Sequence, residues 1–151
     1  MQGGQQFKID QPGLMKAGLI PVIVGAVGGA LYIVFGLWSI ASILGYLAPI
    51  FGGVWYVMTA RKAGAVPAQM DGLVNGAILG GVVGLVFGIL ALITAPIGLN
   101  SMLGGLGGLA GLGGYSGFGV GSLITELIAG LVGGAVGAFG YSYLVKSGSI
   151  K

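Results

Sequence analysis

Charged side chains are so sparse in this chain that they divide it into long apolar runs. From Ala17 to Ala60, 44 consecutive residues carry no charge. As one helix they would extend roughly 66 Å at ~1.5 Å per residue, about twice the ~30 Å hydrocarbon thickness of a bilayer. Two spans joined by a tight turn fit instead. Gly36-Leu37-Trp38-Ser39 supplies a glycine, a serine and an interfacial aromatic where that turn must fall. The pattern predicts helices over about 17–35 and 39–60. A polar connection from Arg61 to Asp71 precedes a third uncharged run, Gly72 to Ala95. Its end is expected at Pro96 and Gly98, because proline cannot continue a helix and glycine permits the exit geometry. A fourth apolar segment covers about 122–145, after an outer loop over 97–121. The expected architecture is one all-α integral membrane domain over residues 1–151, a bundle of four transmembrane helices.

Composition excludes the alternatives. Hydrophobic residues make up 56% of the chain and charged ones only 6%, against about 25% charged in ordinary soluble domains. A water-exposed globule cannot be surfaced this way, and disorder requires the opposite bias. The N-terminal segment before Ala17 lacks a small-residue cleavage site, so no cleaved signal peptide is expected. The six basic residues are Lys8, Lys16, Arg61, Lys62, Lys146 and Lys151. They fall in the N-terminal segment, the middle connection and the C-terminal tail, which a four-span topology puts on one side. The two opposite loops carry none, so the positive-inside rule gives both termini cytoplasmic, in a plasma membrane. Scattered in this way the cations form no nucleic-acid stripe, and the expected partners are the lipid bilayer and other membrane subunits or a second copy. Trp55, Tyr56, Tyr141 and Tyr143 at the inner ends, and Trp38, Tyr115 and Phe118 at the outer ones, are expected to form aromatic belts.

Glycine spacing is the most specific signal. Gly72, Gly76, Gly80, Gly84 and Gly88 recur at strict four-residue intervals, with Gly81 beside them. Residues four apart share one helix face, so the run is a glycine zipper that admits a second backbone at van der Waals distance. Gly130 and Gly134 repeat the spacing in the fourth span, and Ala138 extends it. Gly18, Gly25 and Gly29 in the first span and Ala41, Gly45, Ala48 and Gly52 in the second give every helix a small-residue face. Between Leu103 and Gly114, leucine recurs every third residue among glycines, consistent with a flexible connector or with a docked segment that lines its leucines on one edge.

Candidate chemistry is scarce. The chain has neither cysteine nor histidine, which removes disulfides, thiolate nucleophiles and the usual metal sites, and no metal or cofactor is expected. Glu126 is the one ionisable side chain inside a predicted span. Twenty residues separate it from the inner boundary at Lys146, placing it near the outer surface, where Ser122 would cap the helix and leave Glu126 in the first turn, stabilised by the helix dipole. Its position four residues before Gly130 also puts it above the small-residue face, which keeps ion or proton handling open. Asn75, Thr94 and Thr125 read as interhelical hydrogen-bond partners. With Asp10 and Asp71 as the remaining carboxylates, acid–base pairs and nucleophile dyads lack components, and no enzymatic activity is expected.

Pro49-Ile50-Phe51-Gly52-Gly53, Arg61-Lys62-Ala63-Gly64, and Asp71-Gly72 with the glycine ladder to Gly88 resemble small four-helix, glycine-rich prokaryotic membrane proteins of unknown function. That resemblance implies fold and location, not activity. Rotary-ATPase proteolipids share the pairing of glycine-rich helices with a carboxylate, but Leu127-Ile128-Ala129-Gly130 departs from their pattern. The four-span mitochondrial protein-import translocases carry an arginine where Pro67 stands here, before Asp71. The expected function is that of a non-enzymatic accessory or scaffold subunit of a larger membrane complex. The alternative is a small ion- or proton-conducting proteolipid, or a homo-oligomeric pore, using Glu126.

Overall fold

The computed structural model describes residues 8–65, 67–102 and 120–150. Among these, four helices are long and apolar enough to cross a membrane: α1 (Gln11–Ala30), α2 (Trp38–Lys62), α3 (Gln69–Met102) and α4 (Val120–Lys146). The Leu-Gly-Gly segment and the aromatics Tyr115 and Phe118 lie outside the described residues.

Local chemistry sets most of the helix ends. The Asp10 side chain accepts a hydrogen bond from the Gly13 amide at 3.0 Å, and Pro12 occupies the first turn, where its missing N–H costs nothing. This cap starts α1 at Gln11, six residues before the expected Ala17. The helix accordingly ends earlier, and the turn occupies Leu31–Leu37 as two short 3₁₀ segments instead of Gly36–Ser39. The Trp38 indole N–H satisfies the Tyr32 carbonyl inside that turn at 2.8 Å. At the other end of the bundle, α2 closes on Gly64, whose φ of +77° lets the Ala65 amide reach back to the Ala60 carbonyl at 3.0 Å. Gly148, at φ +76°, closes α4 in the same manner through Ser149 and Leu144.

The third helix corrects a second expectation, because it runs through Pro96 to Met102. Proline removes one backbone bond, but in an apolar span the alternative is to expose several, so the helix persists. Pro21 and Pro49 are accommodated inside α1 and α2 in the same way, and both are buried. Gly98 then passes directly beneath the first turn, where a side chain would strike the carbonyls of Tyr32 and Ile33.

In cross-section the bundle is a rhombus. α2 and α3 pack against each other along its short diagonal, and α1 and α4 occupy the far corners, each resting on both. The core has two layers, one around Tyr56, Leu79 and Val83 toward the end where α1 and α3 begin, and one around Tyr32, Phe87 and Ala91 toward the turn between α1 and α2. Tyr56 is only 1% exposed, so it belongs to the core and not to the inner aromatic belt. Large apolar side chains such as Leu19, Ile43, Ile93, Ile128 and Val136 face outward, as lipid-facing positions do.

Candidate functional site

The seven glycines singled out for packing, Gly72, Gly76, Gly80, Gly84, Gly88, Gly130 and Gly134, are all buried, but they are not equivalent. A methyl carbon at Gly80 would meet the Gly130 carbonyl and stand 2.6 Å from the Gly134 Cα. One at Gly84 would meet the Glu126 carbonyl and stand 3.1 Å from the Gly130 Cα. At Gly76 it would meet the Ala138 methyl and come within 2.9 Å of the Gly134 carbonyl. Here α3 and α4 touch backbone to backbone. Gly53 of α2 closes the same junction, since a side chain there would strike the Gly134 carbonyl. Gly72 differs, with only ordinary contacts to Pro67 and Val57 at 3.6 and 3.8 Å, because it faces the connection between α2 and α3. On the α1 side, Gly29 lies against the backbone of Phe87 and Ala91, and the Thr94 hydroxyl reaches the carbonyls of Gly29 at 2.7 Å and of its own helix, at Leu90, at 2.8 Å.

At the end of the bundle where α1 and α3 begin, polar side chains far apart in sequence converge. Asn75 is fully buried. Its amide donates to the carbonyls of Lys8 at 2.9 Å and Asp71 at 2.8 Å, and its oxygen accepts from the Asp10 amide at 3.0 Å. Asp71 accepts from the Lys8 amide at 3.2 Å, and the Tyr56 hydroxyl donates to Asp10 at 3.3 Å. These groups line a cavity of about 250 Å³ that also touches Ala60, Ala65 and Pro67. Two of the chain's three carboxylates therefore meet across 61 residues, an encounter that spacing alone does not reveal. Two local signals point toward it: Asp10 stands before Gln11-Pro12, as an N-cap does, and Asp71 and Asn75 sit one helical turn apart. Among the described residues no buried side-chain nitrogen or oxygen lacks a hydrogen-bond partner, and the bonds within the cluster join the segment before α1 to α2 and α3, so the arrangement works as a clasp.

Glu126 lies elsewhere, on α4 over α3. The helix is already formed at Val120, so Ser122 is inside it and Glu126 stands beyond the first turn, which corrects the expected capped position. The dipole effect is confined to that turn and gives this carboxylate little. Its stem occupies the space above Gly88, with Cβ and Cγ 3.2 and 3.3 Å from where a side-chain carbon at Gly88 would stand. The side chain is partly buried, and among the described residues no hydrogen bond or ion pair reaches its carboxylate. Thr125, on the same turn, returns its hydroxyl to the Gly121 carbonyl at 3.0 Å.

In comparisons with known proteins, the chain matches no family model, no curated protein and no solved structure.

Proposed function

We propose that this chain is a non-enzymatic, multi-pass subunit of the plasma membrane, held together by glycine zippers on α3 and α4, that serves as an accessory or scaffold component of a larger membrane complex. The observation that carries this reading is how the interior polar groups are used. Asn75 and Thr94 are the buried polar side chains among the described residues, and both are bonded to backbone carbonyls that join helices. Between them the cross-section is filled by Leu79, Val83 and Phe87, each at most 4% exposed. An interior organised in this way favours packing over conduction through a single bundle.

The orientation with both termini cytoplasmic is part of the proposal. It is supported by the gathering of basic residues at one end, where Lys146 donates to Gln69 at 3.1 Å and the Lys8 backbone meets Asp71, together with the positive-inside rule. A second reading, an ion- or proton-handling proteolipid or a pore formed by several copies, is favoured by one observation, the unpaired carboxylate of Glu126 within a candidate span.

Two measurements separate these readings. Native mass spectrometry of the full chain extracted in mild detergent should show stoichiometric association with other membrane subunits, and a lone monomer would remove the accessory reading. Liposomes containing the purified chain and a pH- or sodium-sensitive dye should show no flux. Flux in the wild type that disappears in Glu126→Gln would establish the proteolipid instead.

A further inference from the structure

The outer half of the molecule contains one formal charge and nothing of opposite sign. No lysine or arginine occurs between Lys62 and Lys146. Along α4, Lys146 is 20 residues from Glu126, about 30 Å at ~1.5 Å per residue, and it sits beside Gln69 at the opposite end of the bundle. The chain therefore has no cation with which to neutralise Glu126, and a second copy would bring none to that depth either. A partly desolvated carboxylate at the apolar boundary is stabilised as an anion by a cationic partner.

Among the described residues, nothing covers the outer end of the groove beside it. In the inner half, α2 and α4 are in close contact: a side chain at Gly137 would strike the Ile50 carbonyl, and one at Gly133 would stand 3.2 Å from the Pro49 Cβ. The same stripe of α2, followed outward by one and two turns, reaches Tyr46 and Ile43, which are 67% and 56% exposed. Glu126 falls on the α4 face that continues Gly133 and Gly137, at helical offsets of seven and eleven residues. Among the described residues, contact between the two helices thus gives way toward the outer end, with exposed apolar side chains on that stripe of α2 and Glu126 on the corresponding face of α4.

We infer that this outer groove between α2 and α4 receives a transmembrane helix of a different subunit, whose arginine or lysine near its outer end pairs with Glu126. The inference rests on the accessory-subunit reading and specifies the kind of partner: apolar along the face that meets Tyr46 and Ile43, and cationic at the level of Glu126. Burial in a low-dielectric groove makes the pair a specificity device as well as a contact, because a helix lacking the cation leaves the carboxylate uncompensated.

The test uses the full chain in its native membrane with a photoreactive benzoylphenylalanine substituted at Tyr46. The expected adduct is a membrane protein with a lysine or arginine near the outer end of one span. Its yield should fall at least ten-fold in Glu126→Lys and in Glu126→Gln, and should recover when Glu126→Lys is combined with an acidic replacement of the partner's cation. Circular dichroism and monodispersity in detergent confirm that each variant folds, and Glu126→Gln carries the test if Glu126→Lys does not. Adducts to lipid alone, to residues 103–119 of the same chain or to a second copy would overturn the inference, as would a partner adduct insensitive to both variants. If subunits still co-purify while the groove captures none of them, the groove assignment fails and the accessory reading stands. A chain that purifies alone ends both.

Discussion

The Asp10 amide donates to the Asn75 side-chain oxygen at 3.0 Å, tying the residue that caps α1 to the second turn of α3 across 65 positions of sequence. One side chain thus satisfies two backbone groups of the incoming segment, the Asp10 N–H and the Lys8 carbonyl. Asn75→Leu keeps the volume close but leaves both without partners. It should destabilise the protein by about 1–3 kcal/mol, the usual cost of orphaned buried polar groups. Thermal unfolding in detergent, followed by circular dichroism, reads the loss. Asp10→Ala removes both the helix cap and the acceptor of the Tyr56 hydroxyl, and should cost about 1–2 kcal/mol.

Close backbone approach makes small residues, not large ones, the sensitive positions in α3. Gly80→Leu and Gly84→Leu should prevent folding or assembly, because the added side chain must displace the α4 backbone at Gly130 and Glu126. Leu85→Ala, at a side chain 37% exposed, should be tolerated. Detergent-resistant folding distinguishes the two, and equal tolerance would mean that the glycine face is not the contact.

Alanine scanning of the glycines themselves should change sign with position. Gly134→Ala forces its methyl into the Gly76 carbonyl and should cost about 1–3 kcal/mol, as overpacking does. Gly140→Ala meets nothing within 4 Å and should stabilise α4 by about 0.5–1 kcal/mol through reduced backbone entropy. Melting temperatures of the two variants should move in opposite directions.

Thr94→Val removes the hydroxyl that joins α3 to the Gly29 carbonyl of α1. Interhelical hydrogen bonds of this type contribute about 0.6 kcal/mol on average and up to about 1.7. A midpoint shift within that range in reversible detergent unfolding is the expected result.

The native chain lacks cysteine, so topology can be read from single-cysteine variants without background. A cysteine at Ser147 should resist an impermeant thiol reagent added outside intact cells and react after permeabilisation. Labelling from outside would reverse the orientation proposed from the basic residues.

Charged residues are so rare in apolar spans that the spans are legible where charges stop, from Ala17 to Ala60, from Gly72 to Ala95 and, with Glu126 as the exception, over about 122–145. Helix ends are less legible, because the rules for proline and glycine come from helices in water. In an apolar span the cost of exposing backbone outweighs the single bond lost at Pro96, so α3 continues past it. The Asp10–Asn75–Asp71 cluster was hidden for a different reason: its members are unremarkable alone and acquire their role only when α1, α2 and α3 are in place. Glu126 was identifiable as unusual from its surroundings in the sequence. Its place beyond the first turn of α4 depends on where that helix begins, and the residues near Ser122 offered a plausible cap two positions inside it.

The clasp at Asn75 also imposes an order on biosynthesis. When α1 and α2 enter the membrane as a hairpin, Asp10 can already cap its own helix through Gly13 and accept from the Tyr56 hydroxyl, but Lys8 has no long-range partner, and the Asp10 amide none, until residues 71 and 75 have left the ribosome. For that interval the segment before α1 is held to the hairpin through Tyr56 alone, and insertion of α3 is the event that completes its attachment. A truncation ending before Asp71 would therefore yield a hairpin in which the bonds around Lys8 and Asp10 are opened to protease more readily, whereas chains extended through α3 would acquire protection there, far from the newly added residues.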